Sequence, residues 1–157
     1  MNTGQLKQRR GLLALIGAAF AGPAFAQGPS PIAIEVWKSP TCGCCKDWIR
    51  IIEAQGLFKA TVRDVGNTQA RARLGIPLKL GSCHTAVVGG YAIEGHVPMR
   101  EMLRLLKERP RAVGLTVPGM PIGSPGMDGP EYGGQRDPYE VLLVLHDGST
   151  RVYAKYS

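Results

Sequence analysis

The stretch IAIEVWKSPTCGCCKDWIRIIE, residues 32–53, decides the fold. Its first part alternates apolar residues with smaller or polar ones as far as Ser39-Pro40, which is typical of a short β-strand. From Cys45 to Gln55 the apolar side chains fall on one side at helical spacing, and Gly56 follows where a helix would stop. The three clustered cysteines are therefore predicted to lie in a strand-to-helix turn.

The same patterns predict the elements that follow this turn. Strands are expected over Phe58 to Asp64, Thr85 to Val88 and Tyr91 to Ile93, with helices over Thr68 to Leu74 and Val97 to Glu108. The order β-α-β-α-β-β-α predicts an α/β protein with a thioredoxin-like fold. In that fold a redox or metal site occupies the turn between the first strand and its helix, where the helix dipole favours thiolate over thiol.

The last third of the chain has a different composition. Residues 113–134 are rich in Gly and Pro and carry two methionines, whereas Tyr139 to Leu145 and Arg151 to Tyr156 predict a β-hairpin about Asp147-Gly148. We expect a thioredoxin-like metal-binding domain over residues 27–112. We expect residues 113–157 to form a Gly/Pro/Met-rich C-terminal extension packed on the same domain.

The first 26 residues predict export from the cytoplasm. A basic start, an apolar run from Leu12 to Phe20, and Ala24-Phe25-Ala26 at the end are the parts of a secretory signal peptide. Cleavage is expected after Ala26, which places the mature protein in the periplasm. The Arg9-Arg10 pair leaves both the general secretory and the twin-arginine route open.

The charge and composition of the chain limit the kinds of partner that we expect. The formal net charge of +7 falls to about +4 without the three basic residues of the predicted signal peptide. The remaining Lys and Arg residues are scattered and not interleaved with aromatic ones, so we expect no nucleic-acid partner. After cleavage we expect a monomer without stable membrane insertion.

The motif Cys42-Gly43-Cys44-Cys45 offers three thiols that can hold a soft metal. Lys46 and the helix N-terminus would lower the pKa values of these thiols. Ordinary disulfides are the alternative. Adjacent Cys44 and Cys45 bridge only with strain, and a Cys42 to Cys44 bridge closes a very tight ring, whereas Cys42 and Cys45 have the Cys-x-x-Cys spacing of a thiol-disulfide oxidoreductase.

Further candidate ligands are expected from other parts of the chain. Cys83-His84 precedes the third strand, at the position where a thioredoxin-like protein carries a residue facing its redox cysteines, and His96 lies in the turn before the third helix. Met120 and Met127 occur in a segment without helical or strand periodicity, so a ligand role and gap filling where the extension packs on the domain are both open. Thioether and thiolate together suit Cu(I) better than zinc.

Four motifs in this order resemble the CopG family of copper-resistance proteins. They are Lys38-Ser39-Pro40-Thr41-Cys42-Gly43-Cys44-Cys45, Ser82-Cys83-His84-Thr85-Ala86-Val87-Val88, Ile93-Glu94-Gly95-His96-Val97-Pro98, and Val117-Pro118-Gly119-Met120-Pro121 continuing through Gly126-Met127. The resemblance runs through nearly the whole mature chain. It implies a periplasmic thioredoxin-like protein of a Gram-negative bacterium that holds several copper ions bridged by cysteine sulfur.

By matching position, the sulfur ligands implied are Cys42, Cys44, Cys45 and Cys83, with Met120 and Met127 added by the extension and His84 and His96 as further candidates. The resemblance also implies interconversion of Cu(I) and Cu(II) during copper detoxification and export. A copper oxidoreductase cooperating with periplasmic copper-export components is the leading hypothesis. A copper chaperone or storage protein without redox turnover, and a metal-free thiol-disulfide oxidoreductase, are the alternatives.

Overall fold

The structure of the protein is a computed structural model, and the residues it describes are Met1 and residues 30–157. Apart from Met1, the predicted signal peptide lies outside the described residues. Within residues 30–157, no helix has both the length and the apolar character of a membrane-spanning segment.

Residues 30–157 form seven strands and three α-helices. The strands are β1 (Ile32–Lys38), β2 (Phe58–Arg63), β3 (His84–Val88), β4 (Tyr91–Glu94), β5 (Gly114–Thr116), β6 (Tyr139–Val144) and β7 (Thr150–Tyr156). The helices are α1 (Gly43–Glu53), α2 (Thr68–Arg73) and α3 (Met99–Glu108), with short 3-10 turns at Leu78–Leu80 and Pro130–Tyr132. The predicted order β-α-β-α-β-β-α is confirmed as far as α3.

All seven strands join one mixed sheet in the order β2-β1-β3-β4-β5-β6-β7. Strand β1 is parallel to β2, and β4 is parallel to β5, whereas the other neighbouring pairs are antiparallel. The predicted hairpin about Asp147-Gly148 is confirmed as β6 and β7. Strand β5 was not predicted from the sequence, and it joins the hairpin to the rest of the sheet.

Apolar residues bury both faces of this sheet. Helices α1 and α3 pack on one face, where Trp48, Ile52, Met102 and Leu105 meet the inward side chains of the central strands. On the opposite face a smaller cluster forms from Ile76, Leu80, Ala92 and Val144. Neighbouring residues of β4 alternate between the two clusters, as the two-residue repeat of a strand requires.

The strand directions bring distant segments together at one edge of the sheet, the edge formed by the ends of its strands. Strand β1 ends and β3 begins there, because Lys38 and His84 are register partners. Strands β4 and β5 also end at this edge, where Glu94 and Thr116 are paired. The cysteine turn after β1, the Cys83-His84 step before β3, the His96 turn after β4 and the methionine segment after β5 therefore meet at one place.

Candidate metal centre

Helix α1 begins two residues earlier than the sequence pattern predicts. Cys42 is its N-cap residue, and Cys44 and Cys45 lie in its first turn. The backbone N–H of Cys42 donates to Ser39 O at 3.1 Å, which closes the turn after β1. The first turn carries no acidic side chain, so the partial positive charge of the helix N-terminus acts on the cysteine sulfurs without an opposing carboxylate.

Cys42 and Cys45 form a disulfide with a Cα–Cα distance of 5.4 Å. Cys45 is fully buried, whereas Cys42 is partly exposed. Cys44 remains a thiol, with its Sγ 3.5 Å from Cys42 Sγ. The structure therefore contains the Cys-x-x-Cys pairing considered as an alternative above. A site with four thiolates requires reduction of this bond, because metals bind the thiolate and not the disulfide.

Cys83 reaches the cluster from the start of β3. Its Sγ lies 3.9 Å from Cys44 Sγ, and its backbone oxygen lies 3.6 Å from Cys45 Sγ. The four cysteine sulfurs lie within 4.8 Å of one another. Burial and the neighbouring Cys44 raise the pKa of the Cys83 thiol to about 12. Metal binding at Cys83 therefore releases a proton, and the lowering of thiol pKa expected from the helix terminus does not extend to this cysteine.

His96 is oriented by the C-terminal segment. Its ring Nδ1 lies 2.8 Å from Pro125 O, and its Nε2 lies 3.0 Å from Cys83 Sγ. A carbonyl oxygen only accepts, so the hydrogen bond assigns the proton to Nδ1 and leaves the Nε2 lone pair facing the cysteine. Burial lowers the pKa of His96. A neutral imidazole held through its other nitrogen is the usual arrangement of a metal-binding histidine.

His84 completes a second group of candidate ligands with Cys83 and His96. It is fully buried next to the Trp48 ring, and its Nδ1 lies 3.4 Å from Cys83 Sγ. Burial, then the charge of His96, hold the pKa of His84 well below its usual range. Its Nε2 has no hydrogen-bond partner among the described residues. Buried polar atoms are rarely left unpaired, so Nε2 lacks a partner that such an atom usually has, whereas Nδ1 is the ring atom that faces Cys83.

The two loop methionines differ in their surroundings. Met127 is almost fully buried, and the Tyr132 hydroxyl donates to its Sδ at 3.3 Å. The preceding Gly126 lies so close to the Cys44 carbonyl and the Trp48 amide that a Cβ there would be 2.6 and 2.8 Å from them. Met120 is half exposed and follows Gly119, whose oxygen accepts from the Ser82 hydroxyl. Both methionine segments adjoin the cysteines through the backbone, and their roles as ligands stay predictions.

A buried ion pair, which sequence reasoning missed, fixes the loop before Cys83. Glu94 Oε1 accepts from Arg71 Nε and from the backbone N–H of Ser82, both at 2.7 Å. Arg71 also donates to Ser82 O, as does Asn67 at 3.1 Å. Burial raises the pKa of Glu94, although its donors favour the charged form. The one signal in the sequence is a carboxylate at the end of an otherwise apolar strand.

Two solved structures described as "Copper resistance protein copG", Form 1 and Form 2, are each 46% identical to the chain with a TM-score of 0.73. The match covers 80% of this chain and 98% of the Form 1 structure, and 81% and 99% for Form 2. The chain belongs to the CopG family.

Residues 80–127 also match a family described as "Protein of unknown function, DUF411". This span of the CopG-family chain contains Cys83, His84, His96 and both loop methionines, but not the Cys42-Gly43-Cys44-Cys45 motif. No curated protein matches the sequence.

Proposed function

We propose that the protein binds copper in copper resistance and interconverts Cu(I) and Cu(II) at a cysteine-bridged copper cluster. The observation that carries this proposal is the approach of four cysteine sulfurs to within 4.8 Å, next to two buried histidines. Sulfurs this close can each bridge two ions, so the ligand set suits several copper ions. The proposed ligands are Cys42, Cys44, Cys45, Cys83, His84 and His96, with Met120 and Met127 from the extension.

Copper is favoured over zinc by the kind of donor atoms. A structural zinc site closes with four ligands in a tetrahedron, whereas the segments that meet here offer four cysteine sulfurs, two imidazoles and two thioethers. Thioethers are soft ligands that select Cu(I). The family relationship supports the same metal, since both similar structures carry copper resistance in their description.

The fold and location proposed are those expected from the sequence. Strand order β2-β1-β3-β4, with α1 and α3 packed on one face of the sheet, supports a thioredoxin-like unit over residues 27–112. Residues 113–157 form the extension that adds strands β5 to β7. We further propose a periplasmic monomer, released by cleavage after Ala26, that exchanges copper with periplasmic export components.

Anaerobic copper titration of the reduced chain from Gln27 onward tests the proposal. Copper per chain and sulfur-to-copper charge-transfer absorption are measured together. More than one tightly bound copper per chain, lost in Cys44→Ser, is the expected result. A reduced chain that retains no copper would contradict it.

The Cys42–Cys45 disulfide favours a second candidate, a metal-free thiol-disulfide oxidoreductase. Substitution Cys83→Ser separates the two functions. A disulfide enzyme that uses only Cys42 and Cys45 keeps most of its thiol-exchange activity in this variant, whereas a copper cluster loses occupancy. Electrochemistry on the folded, copper-loaded protein distinguishes a chaperone or storage protein. In such a protein the bound copper keeps one oxidation state, whereas in an oxidoreductase it changes oxidation state reversibly.

A further inference from the structure

The four cysteines form two chemically different pairs. Cys42 and Cys45 are joined by a disulfide, whereas Cys44 and Cys83 are thiols whose sulfurs lie 3.9 Å apart. The two pairs are in contact, because Cys44 Sγ lies 3.5 Å from Cys42 Sγ. The Cys42–Cys45 pair, which can accept or release two electrons, therefore lies in contact with two thiols that can bind a soft metal.

We propose that Cys42 and Cys45 store the electrons that convert Cu(II) to Cu(I), while Cys44 and Cys83 hold the Cu(I) that forms. This inference rests on the proposed copper function and names its source of electrons. Cys42 and Cys45 are copper ligands in their reduced form and leave the ligand set while the disulfide joins them. In their reduced form, Cys42 and Cys45 each give up one proton to solvent and one electron to a Cu(II) ion. One sulfur–sulfur bond forms, two Cu(II) become two Cu(I), and no other oxidant or reductant takes part.

The helix geometry selects this pair for oxidation. Cys42 at the N-cap and Cys45 one turn later place their Cα atoms 5.4 Å apart, inside the usual range for a disulfide. Adjacent Cys44 and Cys45 bridge only with strain. Cys44 is left as a thiol between the oxidised pair and Cys83, on the side from which the copper ligands converge.

The surroundings of Cys83 suit a holding role. Its backbone is fixed through Ser82, whose N–H donates to Glu94 and whose oxygen accepts from Asn67 and Arg71. Its sulfur lies 3.0 Å from His96 Nε2. A cysteine held on both sides in this way keeps its position while the neighbouring pair changes its bonding.

Repeated turnover requires re-reduction of the pair by a second dithiol. Cys42 is the partly exposed sulfur and Cys45 the buried one, so the incoming thiolate attacks Cys42 and Cys45 leaves as a thiolate in the first turn of α1. The second thiol of the donor then attacks the mixed disulfide, which releases Cys42 and leaves the donor oxidised. The reaction that supplies electrons is therefore thiol-disulfide exchange with a dithiol protein or small molecule.

The test uses the full exported chain, reduced with a small dithiol that is then removed without oxygen. Two equivalents of Cu(II) are added per chain. Cu(I) is measured with a colorimetric Cu(I) chelator, and free thiols are alkylated before the disulfide is mapped by mass spectrometry. We expect two Cu(I) per chain and one Cys42–Cys45 disulfide, with Cys44 and Cys83 alkylated once the chelator has removed the copper.

The Cys42→Ser variant is expected to form roughly half as much Cu(I) or less, because it lacks one partner of the two-electron couple. Two results overturn the electron-storage proposal and leave the copper-binding function standing. One is a Cys44–Cys83 disulfide in the unmodified chain. The other is bound copper with no disulfide, so that all four cysteines are alkylated once the chelator has removed the copper. A reduced chain that neither binds nor reduces copper overturns both.

Discussion

Glu94 shows how much the candidate centre depends on a residue that contacts none of its sulfurs. The carboxylate is fully buried and receives hydrogen bonds from Arg71, the Ser82 amide and the Thr85 hydroxyl. Breaking a buried ion pair leaves an uncompensated charge, in this case on Arg71. Loss of the carboxylate is expected to act on the candidate centre through Ser82, the residue before Cys83.

For Glu94→Gln we expect a loss of about 3 kcal/mol in the free energy of unfolding and roughly 10- to 100-fold weaker copper binding. Urea denaturation and competition with a Cu(I) chelator measure the two effects. Glu35→Gln is the control, because the exposed Glu35–Arg63 pair is expected to contribute less than about 1 kcal/mol. Equal losses in both variants would show that burial of the pair has no special effect.

A candidate ligand can be predicted from the sequence when its immediate sequence neighbours mark it. The cysteine motif and Cys83-His84 are visible because unusual residues stand next to predicted strand ends. The Glu94–Arg71 contact is not, because it joins positions 23 apart through a register that the sequence does not reveal. The disulfide was one of several pairings that the spacing allowed.

At the scale of elements, the loop between β5 and β6 is fixed to α1 by a close backbone contact. Gly126 has a φ of +86° and faces the Cys44 carbonyl and the Trp48 amide. Both neighbours are backbone atoms, so neither moves without disturbing the first turns of the helix. A side chain at this position therefore displaces the loop that carries Met127.

Gly126→Ala is expected to lower stability by about 2–3 kcal/mol, through the positive φ and the overlap together, and to weaken copper binding. Gly133→Ala is the matched control, since Gly133 also has a positive φ but open space around it, so about 1 kcal/mol is expected. Thermal unfolding and copper titration of both variants provide the comparison. Unchanged copper binding in Gly126→Ala would mean that this loop contributes no ligand.

The contact of α3 with β7 gives another prediction at this scale. The Tyr156 hydroxyl donates to Glu101 Oε1 at 2.8 Å, and the Glu101 carboxylate is buried. Tyr156→Phe removes a donor from a buried acceptor, which is expected to lower the free energy of unfolding by about 1–3 kcal/mol. Tyr153→Phe, whose hydroxyl bonds the exposed Glu108, is expected to have a smaller effect in the same denaturation experiment.

Most elements were predictable, and β5 was not. Strands β1 to β4 and helices α1 to α3 carry periodic apolar residues or terminating Gly and Pro. Strand β5 has three residues, all buried, and a run this short shows no period. Its parallel pairing with β4 depends on tertiary contacts, so the sequence indicated an extension packed on the domain but not a continuous sheet.

At the scale of the whole molecule, the C-terminal strands are part of the core. Val141 and Val144 are fully buried, one in the cluster under α1 and α3 and the other on the opposite face. Burying a valine stabilises a protein by about 1.5–3 kcal/mol, and total stabilities are only about 5–15 kcal/mol. Removing β6 and β7 takes Val141 and Val144 out of these two clusters and leaves one edge of β5 unpaired.

A chain ending at Pro138 is therefore expected to lose its cooperative unfolding transition, as measured by circular dichroism in urea. Val152→Ala serves as the control within the same hairpin, because Val152 is half exposed, and a change within about 0.5 kcal/mol is expected. A truncated chain that unfolds like the complete one would show that the residues up to Pro138 fold without β6 and β7.

The hydrogen bond from His96 to Pro125 has a consequence for spectroscopy. The carbonyl that holds the imidazole proton is 29 residues away in the sequence, in the loop that Gly126 anchors to α1. While the loop is docked on α1, the Pro125 carbonyl selects the His96 tautomer with its proton on Nδ1. When the loop undocks, either ring nitrogen of His96 can carry the proton. The ¹⁵N chemical shifts of a single labelled ring thus report loop docking in solution, without any probe being attached to the loop itself.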